Sequence, residues 1–156
     1  MKEKTCLFTG HREIEPAKYV YIRNRLVFLV TQAVEDGITD FCAGGAIGFD
    51  TLAAQVVLEQ RAKNPAIKLH LVLPCKEQAK NWSYINKENY NDILAAADTV
   101  TYVSEHYTSF CMQLRNREMV NRSSRCICYL ERSKGGTQNT VKYAEKNGLK
   151  ILNVIE

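Results

Sequence analysis

Two stretches place paired glycines directly before a segment of helical pattern: Gly44, Gly45, Ala46, Ile47, Gly48, Phe49, Asp50, and Ser133, Lys134, Gly135, Gly136, Thr137. Residues without a side chain let the main chain come close to a ligand, and the free N–H groups at a helix start favour an anion. The chemistry such loops offer is capture of a phosphate group. Neither stretch fits the dinucleotide fingerprint G-x-G-x-x-G, and neither has the Lys followed by Ser or Thr that a Walker loop requires. Each taken alone is also what a tight strand-to-helix turn looks like. Two of them on one sheet edge favour an anion site over two coincident turns.

Other residues extend this pattern. Thr9, Gly10, His11 and Arg12 follow the first apolar run, where Thr9 and Gly10 make a turn and Arg12 offers a fixed cation suited to a phosphorylated ligand. His11, on its residue type and position, reads as an exposed loop histidine or as a site residue. Asp50 falls in a first helical turn, where a carboxylate complements the helix dipole; beside a nucleotide it would suit sugar hydroxyls better than phosphate, because like charges repel. Gly135 and Gly136 would present N–H groups and Thr137 a hydroxyl. Arg115 and Arg117 lie about 200° apart on a helix, so only one of them is expected to face a ligand. Glu105 and His106 follow the fourth strand-like run. Trp82, a single tryptophan on an amphipathic segment, is expected in the core, with base stacking as the other use of its ring.

The elements that must hold these residues alternate. Strand-like runs cover 4–9, 39–43, 67–74, 99–104, 125–130 and 149–155, and segments of helical period cover 16–36, 49–62, 83–97, 110–123 and 137–147. Pro16, Ser83, Gly37 and Gly148 stand where helix starts and stops are expected. The alternation predicts an α/β domain of the Rossmann-like, doubly wound kind: a mainly parallel sheet of about six strands with helices on both faces, and one domain over 1–156. Right-handed crossovers then bring all the loops named above to one edge of the sheet.

Composition narrows the classes. With 21 Lys+Arg against 17 Asp+Glu, the net charge of +4 is mild and dispersed, so nucleic acid is not an expected partner on charge alone. No apolar run approaches the length of a membrane span or a secretory signal, and a cytoplasmic protein is expected. The six cysteines contain no C-x-x-C pair and sit mostly in strand-like runs, as buried thiols do; Cys126 and Cys128 should share one face of a strand. No metal site is expected.

FTGHR, GGAIGFDTLAA, LVLPCKEQAKNW, ADTVTYVSEHY, CMQLRNREMV and GGTQNTVKYA, in this order, resemble the YpsA-like branch of the SLOG superfamily, which also holds the DNA-processing protein DprA and the LOG phosphoribohydrolases. The resemblance covers nearly the whole chain. It implies a nucleotide or an NAD- or ADP-ribose-type ligand with no required cofactor, a homo-oligomer, and a ligand-sensing role. It marks Thr9, Gly10, Arg12, Gly44, Gly45, Gly48, Asp50, Arg115, Gly135, Gly136 and Thr137. The LOG enzymes carry PGGxGT followed closely by a Glu, and an Arg-Lys pair. Here Gln138 and Asn139 stand after the threonine, and Asn116 follows Arg115.

Three functions follow from these readings. The first is binding of a nucleotide-type small molecule. The second is N-glycosidic hydrolysis of a nucleoside monophosphate, for which Asp50, Glu105 and Arg115 are the catalytic candidates, since that cleavage needs a carboxylate and an amide cannot replace it. The third, single-stranded DNA binding, asks for a basic groove with interleaved aromatics that the sequence does not display.

Overall fold

The computed structural model describes residues 1–156. Six strands and five α-helices alternate along the chain: β1 (Thr5–Gly10), α1 (Tyr19–Glu35), β2 (Asp40–Ala43), α2 (Phe49–Lys63), β3 (Lys68–Leu73), α3 (Tyr84–Ala96), β4 (Thr99–Tyr102), α4 (Cys111–Asn121), β5 (Arg125–Tyr129), α5 (Gly136–Lys146) and β6 (Lys150–Asn153). Every pairing is parallel, and the strand order is β4-β3-β2-β1-β5-β6. This is a Rossmann-like α/β fold.

The apolar pattern of the strands explains the layering. In β1, Cys6 and Phe8 belong to a core shared with α1, α2 and α3, whereas Leu7 faces the opposite core with Met119, Val141 and Ala144 of α4 and α5. Alternation with period two along a strand buried on both sides divides the helices three to one face and two to the other. Cys126 and Cys128 lie together in the second core, on the shared strand face expected from their spacing. All six thiols are free and buried. Burial pushes the Cys6 thiol well up and the Cys42 thiol to about 12, and Cys126 is raised first by its hydrogen bond with Cys128 and then by burial.

Local chemistry sets the helix boundaries. Ser83 accepts the Asn86 N–H through Oγ at 3.3 Å and so starts α3. The segment expected to be helical from residue 16 begins with a 3₁₀ turn at Pro16–Lys18, and the α-helix proper starts at Tyr19. At the amino-terminal edge of the sheet, His70 bridges Asp40 (Nε2 to Oδ1, 2.7 Å) and Thr99 (Nδ1 to Oγ1, 2.7 Å), which ties three strands together on the side away from the glycine loops. No helix is long and apolar enough to cross a membrane.

The order of the strands has one functional corollary. From β1 the chain winds outward through β2, β3 and β4, then returns through α4 to place β5 on the other side of β1. The loops after β1 and β5 therefore diverge, and the crevice between them is the topological switch point where open α/β sheets take their ligands.

Candidate functional site

A cleft of about 420 Å³ opens at this switch point. The β1 loop supplies Thr9, Gly10, His11, Arg12 and Glu13, the β2 loop Ala46 and Asp50, and the β5 loop Arg132, Lys134, Gly135, Gly136 and Thr137; Gln78, Met112, Arg115 and Asn116 complete the lining. Ten of the thirteen residues singled out by sequence thus meet in one place. The other three, Gly44, Gly45 and Gly48, do not line it. Glu105 is exposed and also stands outside.

The reason lies in what each glycine faces. A Cβ on Gly44 would come within 2.5 Å of the Arg115 guanidinium, one on Gly48 would overlap the Arg12 backbone, and one on Gly10 would overlap the Phe49 ring. These glycines permit the protein to pack against itself. By contrast, a Cβ on Gly135 or Gly136 would meet nothing within 4 Å. The polar groups of the first loop are also engaged within the chain: the Gly44 carbonyl accepts from Arg115 Nη1 and from Gln78 Nε2 (3.4 Å), the Ala46 N–H donates to Asp50 Oδ2 (3.4 Å), the Ala46 carbonyl accepts from Thr51 Oγ1 (2.9 Å), and the Phe49 N–H donates to the His11 carbonyl (3.2 Å). The anion cradle expected in the first loop is filled by the Asp50 carboxylate.

The second loop differs. α5 starts at Gly136 without a side-chain cap and with no acidic residue in its first turn, so its leading N–H groups point at the cleft unneutralised. Gln78, nine-tenths buried, lines the same cleft and has an Oε1 with no hydrogen-bond partner.

Charge follows the same division. Arg12, Arg132 and Lys134 lie at the exposed mouth, and Arg115 lies buried on the floor, where Nε donates to Asn116 Oδ1 at 2.8 Å. Burial lowers the pKa of Arg115, yet a guanidinium keeps its proton. Asp50 is buried too; desolvation pushes its carboxyl up to about 6, against the pull of Arg115, the Ala46 N–H and Arg12. Four cations, Arg12, Arg115, Arg132 and Lys134, thus line the cleft against two acids, Glu13 and Asp50.

His11 is not the exposed loop histidine that its position allowed. It is 8% exposed, and its Nε2 accepts the N–H groups of Glu131 (2.9 Å) and Arg132 (3.3 Å) while its ring meets Tyr129 edge-on at 5.1 Å. Nε2 is therefore the unprotonated nitrogen, and Nδ1 carries the hydrogen. Burial, then Arg132, lowers its pKa. The ring ties the β1 loop to the β5 loop, setting the width of the cleft from within. Arg117 points away, over the Tyr143 ring at 5.1 Å, as the helical angle from Arg115 requires. Trp82 packs on Tyr90, ring centroids 5.3 Å apart.

A family model described as the YspA SLOG family matches residues 6–154. The chain belongs to the YpsA SLOG family. It is 30% identical over 141 residues to the SPbeta prophage-derived protein YoqJ of Bacillus subtilis, covering 82% of each chain. It is also 30% identical over 141 residues to a UPF0398 protein of Bacillus cereus, covering 88% of this chain and 74% of that one. Among solved structures, DprA of Streptococcus pneumoniae superposes with a TM-score of 0.67 at 17% identity over 96% of this chain, which spans about half, 49%, of that protein. DprA of Helicobacter pylori, described in terms of its single-stranded DNA binding mode, gives 0.67 at 18% identity, with 64% of its length matched. These likenesses, at such low identity, show the fold alone.

Among the cleft residues, Glu13, Gln78, Met112, Asn116, Arg132 and Lys134 were not singled out by sequence. Gln78 lies in the loop after β3 and Asn116 directly follows Arg115, so position was a usable signal for both. Lys134 belongs to the second glycine stretch, which was a signal for it as well, whereas nothing local distinguishes Arg132 from other surface cations.

Proposed function

We propose that this member of the YpsA SLOG family binds a phosphorylated, nucleotide-type small molecule in the switch-point cleft. The carrying observation is the uncapped start of α5, whose two glycines face open space in the cleft that Gln78, with its unpartnered Oε1, also lines. In this reading the phosphate rests on the first-turn N–H groups of α5, flanked by Arg12, Arg132 and Lys134, and Gln78 accepts a hydrogen bond from a sugar hydroxyl or base amine. Arg115 fixes the Gly44 carbonyl and adds its field from below. A ligand that binds only the folded state at a hundred times its Kd stabilises it by about 2.7 kcal/mol. A thermal-shift series with AMP, NAD and ADP-ribose at millimolar concentration should show it; no shift with any of them rejects the proposal.

A second reading is supported by Asp50. A carboxyl titrating near 6 inside a ligand cleft has the protonation balance of a general acid or base, and the acidic partner of glycosidic cleavage is otherwise missing at Gln138 and Asn139. Incubation with nucleoside monophosphates would release free base, and Asp50→Asn would stop release while binding persists. The fold shared with DprA adds single-stranded DNA as a competing ligand; a steep fall of affinity with salt would mark it.

A further inference from the structure

The switch-point cleft does not end at α5. A second groove of about 770 Å³ runs between α4 and α5 and shares Met112, Asn116 and Gly136 with the first. Its cations are Arg117, Lys142 and Lys146, and no Asp or Glu lines it. Phe110, two-thirds exposed, lines it from the position just before α4, and the Tyr143 ring is held under the Arg117 guanidinium at 5.1 Å. Each cavity is of a size that holds one small-molecule moiety. Gly136 is common to both, is the first residue of α5, and offers bare backbone.

We propose that the two cavities form one elongated site for a ligand with two nucleoside units joined through phosphate, with the linking phosphate seated at Gly136 and the second unit lying in the α4–α5 groove. This rests on the nucleotide reading of the first cleft and extends it. Phe110 provides a flat apolar surface for the second base. Arg117, Lys142 and Lys146 answer the charge of the link and of any terminal phosphate. The absence of acids from the groove suits an anion and sets it apart from an ordinary mixed-charge helix surface. Both a pyrophosphate-linked dinucleotide and a phosphodiester-linked one present this chemistry.

The test is calorimetric, on the full chain, with AMP, NAD and the dinucleotide pApA as probes. The wild-type protein should bind at least one dinucleotide about tenfold or more tighter than AMP. The double variant Lys142→Glu/Lys146→Glu should erase that gain while leaving AMP within about twofold of wild type, and Phe110→Ala should erase part of it. A control pair on other helices, Lys63→Glu/Lys87→Glu, carries the same charge change and should keep the gain, which separates local contact from the overall field. A gain confined to NAD assigns the pyrophosphate link and one confined to pApA the phosphodiester; either supports the joint site. AMP bound, with neither dinucleotide tighter or with the gain surviving in the double variant, overturns the groove and spares the cleft. No binding of AMP or of either dinucleotide by the wild-type protein overturns both.

Discussion

Arg115 and Gly44 share one space: the guanidinium donates to the Gly44 carbonyl from the position that a side chain on residue 44 would occupy. A helix on one face of the sheet is thereby fastened to the loop that leads into a helix on the other. Gly44→Ala would push the mobile end of Arg115 aside rather than move backbone. The expected result is a modest loss of stability, about 1–2 kcal/mol by chemical denaturation, with a clear fall in anion affinity. Unchanged affinity in a folded variant would show that Arg115 plays no part in the site.

Gly48 and Gly136 should respond in opposite ways. Gly48 has φ +81° and lies against the Arg12 backbone, so Gly48→Ala combines left-handed strain with a clash that no side chain can relieve, several kcal/mol in all. Gly136 has neither constraint; Gly136→Ala should leave the melting temperature level or slightly higher, since alanine suits a helix better, and should weaken ligand binding by placing a methyl on the phosphate seat. Tm and Kd measured on both variants check the pair.

The carboxyl of Asp50 titrates at about 6 in the fold against an ordinary value of 3.8. Below pH 4 both folded and unfolded chains hold the proton. As pH rises from 4 to 6 the unfolded chain releases it first, so stability falls by up to about 3 kcal/mol and stays reduced above 6. Asp50→Asn lacks this loss. Its Tm should exceed that of the wild type by several degrees at pH 7.5 and converge with it near pH 4; parallel curves over this range would contradict the buried-acid account.

Binding an anion beside Asp50 raises its pKa further. Capture of NAD, whose diester phosphates do not titrate in this range, should accordingly draw in a fraction of a proton between pH 6 and 7.5, and its affinity should decline as pH rises through that window. Binding enthalpies in buffers of different ionisation heat report this uptake; identical enthalpies would place the phosphate away from Asp50.

His11 holds the β5 loop through two backbone N–H groups. His11→Phe keeps a ring against Tyr129 but leaves those donors unpaired, at a cost of about 1–3 kcal/mol. Hydrogen exchange at the Glu131 and Arg132 amides should accelerate in the variant while β5 itself remains protected.

The layout of strands and helices was legible because burial on both faces leaves continuous apolar strand runs, and amphipathic helices separate them. The order β4-β3-β2-β1-β5-β6 and the switch point lay beyond sequence, since pairing between β1 and β5 joins residues more than a hundred positions apart. The glycine loops show the limit most clearly. By type, Gly44 and Gly48 cannot be told from Gly135 and Gly136, yet a side chain on either of the first two would meet Arg115 or Arg12, and one on either of the last two would meet open space. His11 was similarly ambiguous, because its burial depends on a loop 120 residues away. Helical geometry set Arg115 and Arg117 on different faces without choosing between them; the family resemblance marked Arg115, and Asn116 between them was the neighbour worth adding.

Six free sulfur atoms, four of them in the two interior layers and all of them buried, make the molecule its own clock. Sealed thiols are out of reach of alkylating reagents, so each can be tagged only when its segment breathes open. Labelling rates at Cys75 and Cys111, near the cleft loops, against those at Cys126 and Cys128 on β5, would rank how readily each region opens with no probe engineered in.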